Sequence, residues 1–231
     1  MSRILAVDTS SLEASLAIVE DGAARRVWAK SHDHPPSDRI FVTLEELFRD
    51  EGLQASDFDA FAACSGPGSF TGLRIGLSLA KSFAFALRRP VYAVDAVEMQ
   101  ALGIQTALGP NTPDRFWTVV QGYRDTTFCG LFRVLGEDLV REGALVWCEG
   151  DDQLAQQRPE GCPAYLPRHG RSVLQGALVA PEAPPAALVI AQRVAQRLAR
   201  GEVPAFEDAQ PLYLKPFNIG QKAKKPEDFR S

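Results

Sequence analysis

A glycine-rich turn between two apolar segments constrains this chain more than any other feature. Residues 65–76 read Ser-Gly-Pro-Gly-Ser-Phe-Thr-Gly-Leu-Arg-Ile-Gly, between a short apolar run and a longer one that ends at Leu87. Glycine and proline favour a tight turn, and Ser69 and Thr71 stand where their side chains can cap a helix. The stretch therefore predicts a strand, a turn and a helix, and a helix that begins in this way can bind an anion at its N-terminus.

The glycine spacing does not fit the known phosphate motifs. A P-loop requires Gly-Lys-Ser/Thr four residues after its first glycine, and the first lysine after this turn is Lys81. The dinucleotide fingerprint requires G-x-G-x-x-G, whereas Gly66, Gly68 and Gly72 are spaced one residue too widely. A tight strand-to-helix turn and a phosphate site that uses Gly66, Gly68 and Ser69 both stay open.

The helix that follows carries a ridge of small side chains. Gly72, Gly76, Ala80 and Ala84 recur every four residues, so they lie on one face. Glycine inside a helix costs about 1 kcal/mol relative to alanine, and close approach of another backbone would offset this cost. The approaching backbone could belong to the domain's own sheet or to a second protein, and the sequence does not decide between them. Most of the remaining surface is also apolar: Leu73, Ile75, Leu77, Leu79, Phe83 and Leu87.

The order of predicted elements repeats once along the chain. Each half reads as three strands and a helix, then a strand, a helix, a strand and a helix, although the repeat is weakest around residues 171–175. We therefore predict an N-terminal domain over residues 1–108, a C-terminal domain over 114–201 and an irregular basic tail over 202–231. Residues 215–231 of this tail carry five basic side chains and indicate a solvated terminus, with a contact to RNA or to a partner as the alternative. Both domains should be α/β, with a mixed sheet flanked by helices and a ligand cleft between them.

Composition excludes several classes of protein. The net charge of −4 gives no global basic field for nucleic acid. We expect no signal peptide, and no apolar run long enough to cross a membrane, so a cytoplasmic protein is expected. The four cysteines form no C-x-x-C pair and read as buried thiols.

Residues with catalytic potential are few. Asp8, with Thr9 and Ser10, ends the first strand and could hold a metal-bound phosphate in the cleft. The corresponding position of the second half carries Gln121, followed by Gly122-Tyr123-Arg124, so no second carboxylate is available there to help bind Mg²⁺ and water. The three histidines form no H-E-x-x-H motif, which argues against a metalloprotease. We therefore expect no complete catalytic set.

Three segments resemble the TsaB (YeaZ) family. Residues 66–76 are similar to its glycine signature, and residues 4–10 resemble its opening strand and turn. Residues 211–216, Pro-Leu-Tyr-Leu-Lys-Pro, resemble its C-terminal Pro-x-Tyr-Leu-Arg-Pro motif. The similarity is strong over residues 1 to about 105 and weak beyond them.

This resemblance implies a duplicated actin-like, Hsp70-like (ASKHA) fold and a role in making threonylcarbamoyladenosine beside the anticodon of tRNA. The family is held to be non-catalytic and to pair with a catalytic paralogue, TsaD. A TsaE-type ATPase joins the pair, so tRNA would be bound indirectly through the complex. The resemblance implies no cofactor of the chain's own, although ATP or ADP could bind at the partner interface, and it implies no membrane.

The resemblance also implies where the chain pairs with TsaD or with itself. The family uses its first two helices, which correspond here to residues 37–48 and 71–87. The expected interface residues are Ile40, Leu44, Leu47, Thr71, Gly72, Leu73, Ile75, Gly76, Leu79, Ala80 and Phe83. A tryptophan at Gly76 should then block association and leave the melting of the monomer nearly unchanged.

The sequence departs from the family pattern at two places. Gln121-Gly122-Tyr123 replaces an Asp-Ala-Arg-like turn, which makes a nucleotide site more doubtful. Residues 34–37 replace Arg-x-His-Ser before the first helix.

Two alternative functions stay open. One is an actin-like ATPase or kinase that uses Asp8, and the other is a homodimeric binding protein with an unrelated ligand.

Overall fold

Both halves of the chain build a five-stranded mixed sheet. The computed structural model describes residues 2–31, 39–122, 125–168 and 171–212. The first half contains β1 (Arg3–Asp8), β2 (Glu13–Glu20), β3 (Ala23–Ser31), α1 (Arg39–Glu51), β4 (Ala60–Gly66), α2 (Phe70–Leu87), β5 (Val91–Asp95) and α3 (Ala96–Leu108). The second contains β6 (Arg115–Gln121), β7 (Thr126–Leu135), β8 (Asp138–Glu149), α4 (Gly150–Gln157), β9 (Ala164–Leu166), β10 (Leu178–Val179) and α5 (Ala186–Ala199).

The two sheets share one topology. The first has the order β3-β2-β1-β4-β5 and the second β8-β7-β6-β9-β10. In each sheet the first three strands form antiparallel pairs, the fourth strand pairs in parallel with the first, and the fifth pairs in parallel with the fourth. The duplicated actin-like fold expected from the sequence is therefore confirmed, with both sheets mixed and flanked by helices.

Alternation along β1 shows how the first sheet is covered on both faces. Leu5 and Val7 pack in the cluster that contains buried residues of α1 and α2, whereas Ile4 and Ala6 pack in the cluster that contains α5. All four side chains are at most 1% exposed. A strand buried on both faces reads as a continuous apolar run, which is why this stretch was recognisable as a strand.

The last helix of each half packs on the sheet of the other half. From α5, Ala187, Ile190 and Val194 lie against the first sheet, and the buried amide of Ala187 donates to Ser15 Oγ at 3.0 Å. Val97 and Ile104 of α3 lie against the second sheet. The predicted boundaries at residues 108 and 114 therefore lie between the two sheets in the chain, but α3 also packs on the second sheet and α5 packs on the first.

Several local predictions need correction. After β9 the repeated order requires a helix and then a strand. The described residues 171–177 contain only loop and turn, and the strand is limited to the two residues of β10. Without a helix to cover it, β10 remains a short, exposed edge strand. The start predicted for α1 at residue 37 and the turn at Tyr123-Arg124 fall outside the described residues.

The segment after α5 packs on the first half, a contact that the prediction of an irregular tail over residues 202–231 did not include. Residues 202–212, which we call the strap, return to the first half and are held there by three hydrogen bonds. The Tyr92 hydroxyl donates to Glu202 O at 2.9 Å, Lys81 Nζ donates to Ala209 O at 2.9 Å, and Leu212 N donates to Ser65 O at 2.7 Å. Residues 213–231, including most of the Pro-Leu-Tyr-Leu-Lys-Pro motif and the basic tail, lie outside the described residues.

The expectation about membrane-spanning length is wrong for one helix. By length and composition alone, α2 is long and apolar enough to cross a membrane. In the structure, Gly76, Leu77 and Ala80 of this helix are buried in the fold, as in the core helix of a globular domain.

Candidate functional site

The glycine turn packs directly on the turn that follows β1. Ser69 N donates to Ser10 O at 2.7 Å, and the Thr9 hydroxyl donates to Gly72 O at 2.7 Å. A Cβ at Gly68 would lie 2.6 Å from Ser10 O, and one at Gly72 only 1.8 Å from Thr9 O. The glycines at 68 and 72 are therefore required by backbone-to-backbone contact within the chain.

The predicted cap of α2 is confirmed at Ser69. Its Oγ accepts a hydrogen bond from Gly72 N at 3.2 Å, which satisfies one of the free amides at the helix N-terminus. The preceding Gly66 has φ +108°, a conformation that disfavours other residues, and its peptide bond to Pro67 is cis. Thr71 is exposed and makes no cap.

Asp8 is enclosed instead of being presented to a cleft. Asp8 is only 1% exposed, and its Oδ1 accepts a hydrogen bond from Ser10 N at 3.1 Å. Burial raises the pKa of the Asp8 carboxyl to about 6 from 3.8, although the hydrogen bonds from Ser10 lower it. Burial, and the charge of Asp8, also raise the pKa of the Cys64 thiol.

The structure brings the six predicted phosphate residues together, but their polar groups are mostly used by the fold. Asp8, Thr9 and Ser10 form the turn, and Gly66, Gly68 and Ser69 form the loop that packs against it. In the second half, Gln121 Oε1 accepts from Arg171 N at 3.1 Å and from Ser172 Oγ at 3.3 Å. Within the described parts of the chain, no three His, Cys, Asp or Glu residues are grouped as metal ligands would be.

The small ridge of α2 faces the chain's own first sheet, which resolves the alternative left open by the sequence. A Cβ at Gly76 would lie 2.8 Å from Thr9 Oγ1, and 3.9 Å from side-chain carbons of Ala63 and Val7. The expectation that Gly76 contacts a partner is therefore wrong. A tryptophan there would clash inside the monomer, so the expected unchanged melting is wrong as well.

Most of the other predicted interface residues also belong to the core. Seven of them are buried: Ile40, Leu44, Leu47, Gly72, Leu73, Leu79 and Ala80. Apart from the glycine, each of these residues is at most 7% exposed. Ile75 and Phe83 are half-buried. The Phe83 ring packs on Phe61 at a centroid distance of 5.3 Å and lies 6.2 Å from Phe48, so it fastens α2 to the sheet and to α1.

The outer side of α1 and α2 presents apolar residues that are not among the predicted interface residues. Phe41 and Val42 of α1 are 53% and 54% exposed. Beside them is a groove of about 450 Å³ lined by Phe41, Leu44, Glu45, Phe48, Leu53, Gln54, Ala55, Leu79 and Phe83. We call this surface the α1–α2 face. Phe41 and Val42 could have been found as apolar residues outside the Ile40, Leu44 and Leu47 stripe.

The cysteines are buried thiols, as their spacing in the sequence predicted. All four cysteines are buried and unpaired by disulfides. Cys129 Sγ and Cys148 Sγ are 3.9 Å apart, and burial raises the pKa of both thiols.

Comparisons with known proteins agree with the resemblance seen in the sequence. The chain is 25% identical over 227 residues to "tRNA threonylcarbamoyladenosine biosynthesis protein TsaB" of Escherichia coli, covering 92% of this chain and 94% of the relative. The protein of the same name from Bacillus subtilis is 32% identical over 98 residues, 42% of this chain and 43% of the relative. A solved Pseudomonas aeruginosa protein, described as similar to peptidase YEAZ, superposes with a TM-score of 0.75 at 25% identity, covering 93% of this chain and all of that one.

A family model adds a second line of agreement. The model described as TsaD, tRNA N6-adenosine threonylcarbamoyltransferase, matches residues 29–156, which is more than half of the chain. The chain therefore belongs to the family that this model describes, and over nearly its whole length it is similar to TsaB (YeaZ) proteins.

Proposed function

We propose that this chain is a non-catalytic partner subunit in the biosynthesis of threonylcarbamoyladenosine in tRNA, and that it docks a TsaD-like catalytic paralogue. The observation that carries the proposal is the exposed apolar α1–α2 face, on which Phe41 and Val42 stand more than half exposed. A continuous apolar surface of this kind is typical of a protein interface. The name of the E. coli relative supports the pathway.

The interior of the chain supports a docking role over catalysis. The only acid predicted to act, Asp8, is enclosed by the turn and the glycine loop, and the matching position of the second half holds Gln121 in hydrogen bonds of its own. An enzyme of the ATPase or kinase type would need charged groups open to the cleft for Mg²⁺ and for the nucleotide.

The same proposal covers the other components. A TsaE-like ATPase joins the pair, tRNA is bound through the complex, and the chain acts in the cytoplasm. It needs no cofactor of its own, and ATP or ADP would bind at the interface with the paralogue. Alone, the chain could pair with a second copy through the α1–α2 face.

The test is binding of the purified chain to the TsaD-like paralogue of the same organism, measured by titration calorimetry and by mass in solution. An interface of standard size buries about 800 Å² per partner, and Phe41→Glu or Val42→Glu would place a charge in its apolar part. We expect either substitution to weaken binding at least 100-fold without lowering the melting temperature. Val173→Glu is the matched control, because Val173 is 72% exposed but lies in the second half.

Three results would contradict the proposal. Binding that Phe41→Glu leaves intact would exclude the α1–α2 face, and failure of the unaltered chain to bind the paralogue would exclude the partner role. Robust ATP turnover by the isolated chain, lost on Asp8→Ala, would make the chain an enzyme.

A further inference from the structure

A second exposed apolar surface lies at the C-terminal end of α2. Phe85 is 77% exposed and Phe206, from the strap, is 37% exposed. Their ring centroids are 6.2 Å apart with the planes tilted by 54°. Together they border a groove of about 620 Å³ lined by Ala84, Phe85, Ala86, Arg88, Arg89 and Phe206. We call this surface the α2–strap groove.

The strap holds the wall of this groove in a fixed position. Lys81 Nζ donates a hydrogen bond to Ala209 O at 2.9 Å and lies 4.5 Å from the centroid of the Phe206 ring. Ala209 itself is only 2% exposed, so it anchors the strap in the core of the first half. A groove whose wall is already ordered loses little conformational entropy when a ligand binds.

The rim of the groove is basic although the chain as a whole is acidic. Arg88 is exposed and has no acidic side chain within ion-pair distance among residues 2–31, 39–122, 125–168 and 171–212. Arg89 approaches only Asp59, at 3.8 Å, and both side chains are more than a third exposed. Two guanidinium groups beside an apolar floor complement carboxylates that flank an apolar side chain.

Arg88 also occupies a position that glycine would fit better. It caps α2 with φ 54°, and its amide donates to the carbonyls of Ala84 and Phe85. Glycine is the usual residue in this conformation at a helix C-terminus, so the guanidinium can be removed by a substitution that should relax the backbone.

We propose that the α2–strap groove is a second docking site for the TsaD-like partner, an inference that rests on the proposed function. It takes an apolar side chain of that protein, flanked by carboxylates. Continuity with the first surface supports this choice, because α2 lines both grooves: Leu79 and Phe83 line the groove of the α1–α2 face, and Ala86, the next residue on the same side of the helix, lines the α2–strap groove. A protein segment lying along this side of α2 reaches the groove.

A basic surface with aromatic rings can also bind RNA. The protein ligand is favoured because RNA binding depends on many phosphate contacts, whereas this rim has two arginines, one of them 3.8 Å from Asp59, on a chain with a net charge of −4. Binding to tRNA is therefore one of the outcomes of the test.

The experiment measures the affinity of the full chain for the TsaD-like paralogue with groove variants, at two salt concentrations. We expect Phe85→Ala to weaken binding about tenfold, as loss of a buried aromatic anchor does. Arg88→Glu should weaken it by about the same factor at low salt and less at high salt. Arg88→Gly should raise the melting temperature and still weaken binding. The matched controls are Val173→Ala and Arg171→Glu, which alter exposed residues of the second half.

The outcomes separate this inference from the proposed function. If the unaltered chain binds the paralogue and Phe41→Glu abolishes binding, but all groove variants bind normally, only the second site is wrong. If the groove variants keep their affinity for the paralogue while the complex loses affinity for tRNA, the groove contacts RNA and the inference is overturned. If the unaltered chain does not bind the paralogue, the proposed function fails and this inference fails with it.

Discussion

The contact between Gly72 and Thr9 predicts an unusually large effect for the smallest possible substitution. In Gly72→Ala, the new Cβ would lie 1.8 Å from Thr9 O and 2.9 Å from the Thr9 carbonyl carbon. Real Cβ atoms are hardly ever closer than 3.0 Å to another heavy atom, so α2 or the turn after β1 must move by more than 1 Å. Such a shift also stretches the hydrogen bond from the Thr9 hydroxyl to Gly72 O.

The size of the effect follows from three contributions. Overpacking of a close contact costs about 1–3 kcal/mol and occasionally more, and the disturbed hydrogen bond adds about 1 kcal/mol. Alanine regains at most about 1 kcal/mol of helix propensity. The last two contributions nearly cancel, and a clash with a backbone oxygen at 1.8 Å belongs at the upper end of the overpacking range. We therefore expect Gly72→Ala to lower the free energy of unfolding by about 3 kcal/mol, measured by urea unfolding followed by circular dichroism.

Gly76→Ala provides the matched comparison, because its Cβ would meet the Thr9 hydroxyl at 2.8 Å and not a backbone atom. Truncation of that hydroxyl in Thr9→Ala should relieve the clash at residue 76 but not the one at residue 72. In double-mutant cycles we expect coupling of about 1 kcal/mol between Thr9→Ala and Gly76→Ala. A Gly72→Ala protein within 0.5 kcal/mol of the unaltered chain would refute the reasoning.

Three further predictions concern single contacts. Burial raises the pKa of the Asp8 carboxyl from 3.8 to about 6, so the stability of the unaltered chain relative to Asp8→Asn is highest below pH 4 and falls as pH rises through 6. The full loss is about 3 kcal/mol, of which about 1.4 kcal/mol falls between pH 5 and pH 8; urea unfolding of both proteins at these two pH values should show this difference, and parallel behaviour would contradict it. Ser15→Ala removes the only side-chain acceptor of the buried Ala187 amide and should cost about 1–3 kcal/mol in the same assay, whereas a neutral result would mean that the amide finds water. Lys81→Met should speed hydrogen exchange of strap amides, leaving that of β1 unchanged; equal protection in both proteins would show that Lys81 does not hold Ala209 in place.

Much of the fold could be predicted from local patterns along the chain. The apolar run at Ile4–Val7 in β1 and the cap at Ser69 were recognisable, because each depends on neighbours within a few residues. The repeated order of strands and helices also predicted two sheets of the same kind. The missing helix after β9 and the two-residue β10 were not predictable, because the pattern between them is weak.

The candidate surfaces were harder to predict, since periodicity shows that a helix is apolar but not what covers each face. Ile40 and Leu44 have the spacing of a docking stripe and also that of a core stripe, and the structure places them in the core. Phe41 lies outside that stripe and was not among the predicted interface residues, yet it is 53% exposed.

The sequence by itself determined that residues 65–76 form a strand-to-helix turn with Ser69 or Thr71 as the cap, because glycine, proline, serine and threonine act through local backbone geometry. Only the tertiary structure decided what the glycines contact. Thr9 is more than 60 residues away from Gly72 in the chain, and their backbones meet only because β1 and β4 pair side by side. The crossing of α3 and α5 to opposite sheets, and the return of the strap to α2, depend on long-range packing for the same reason.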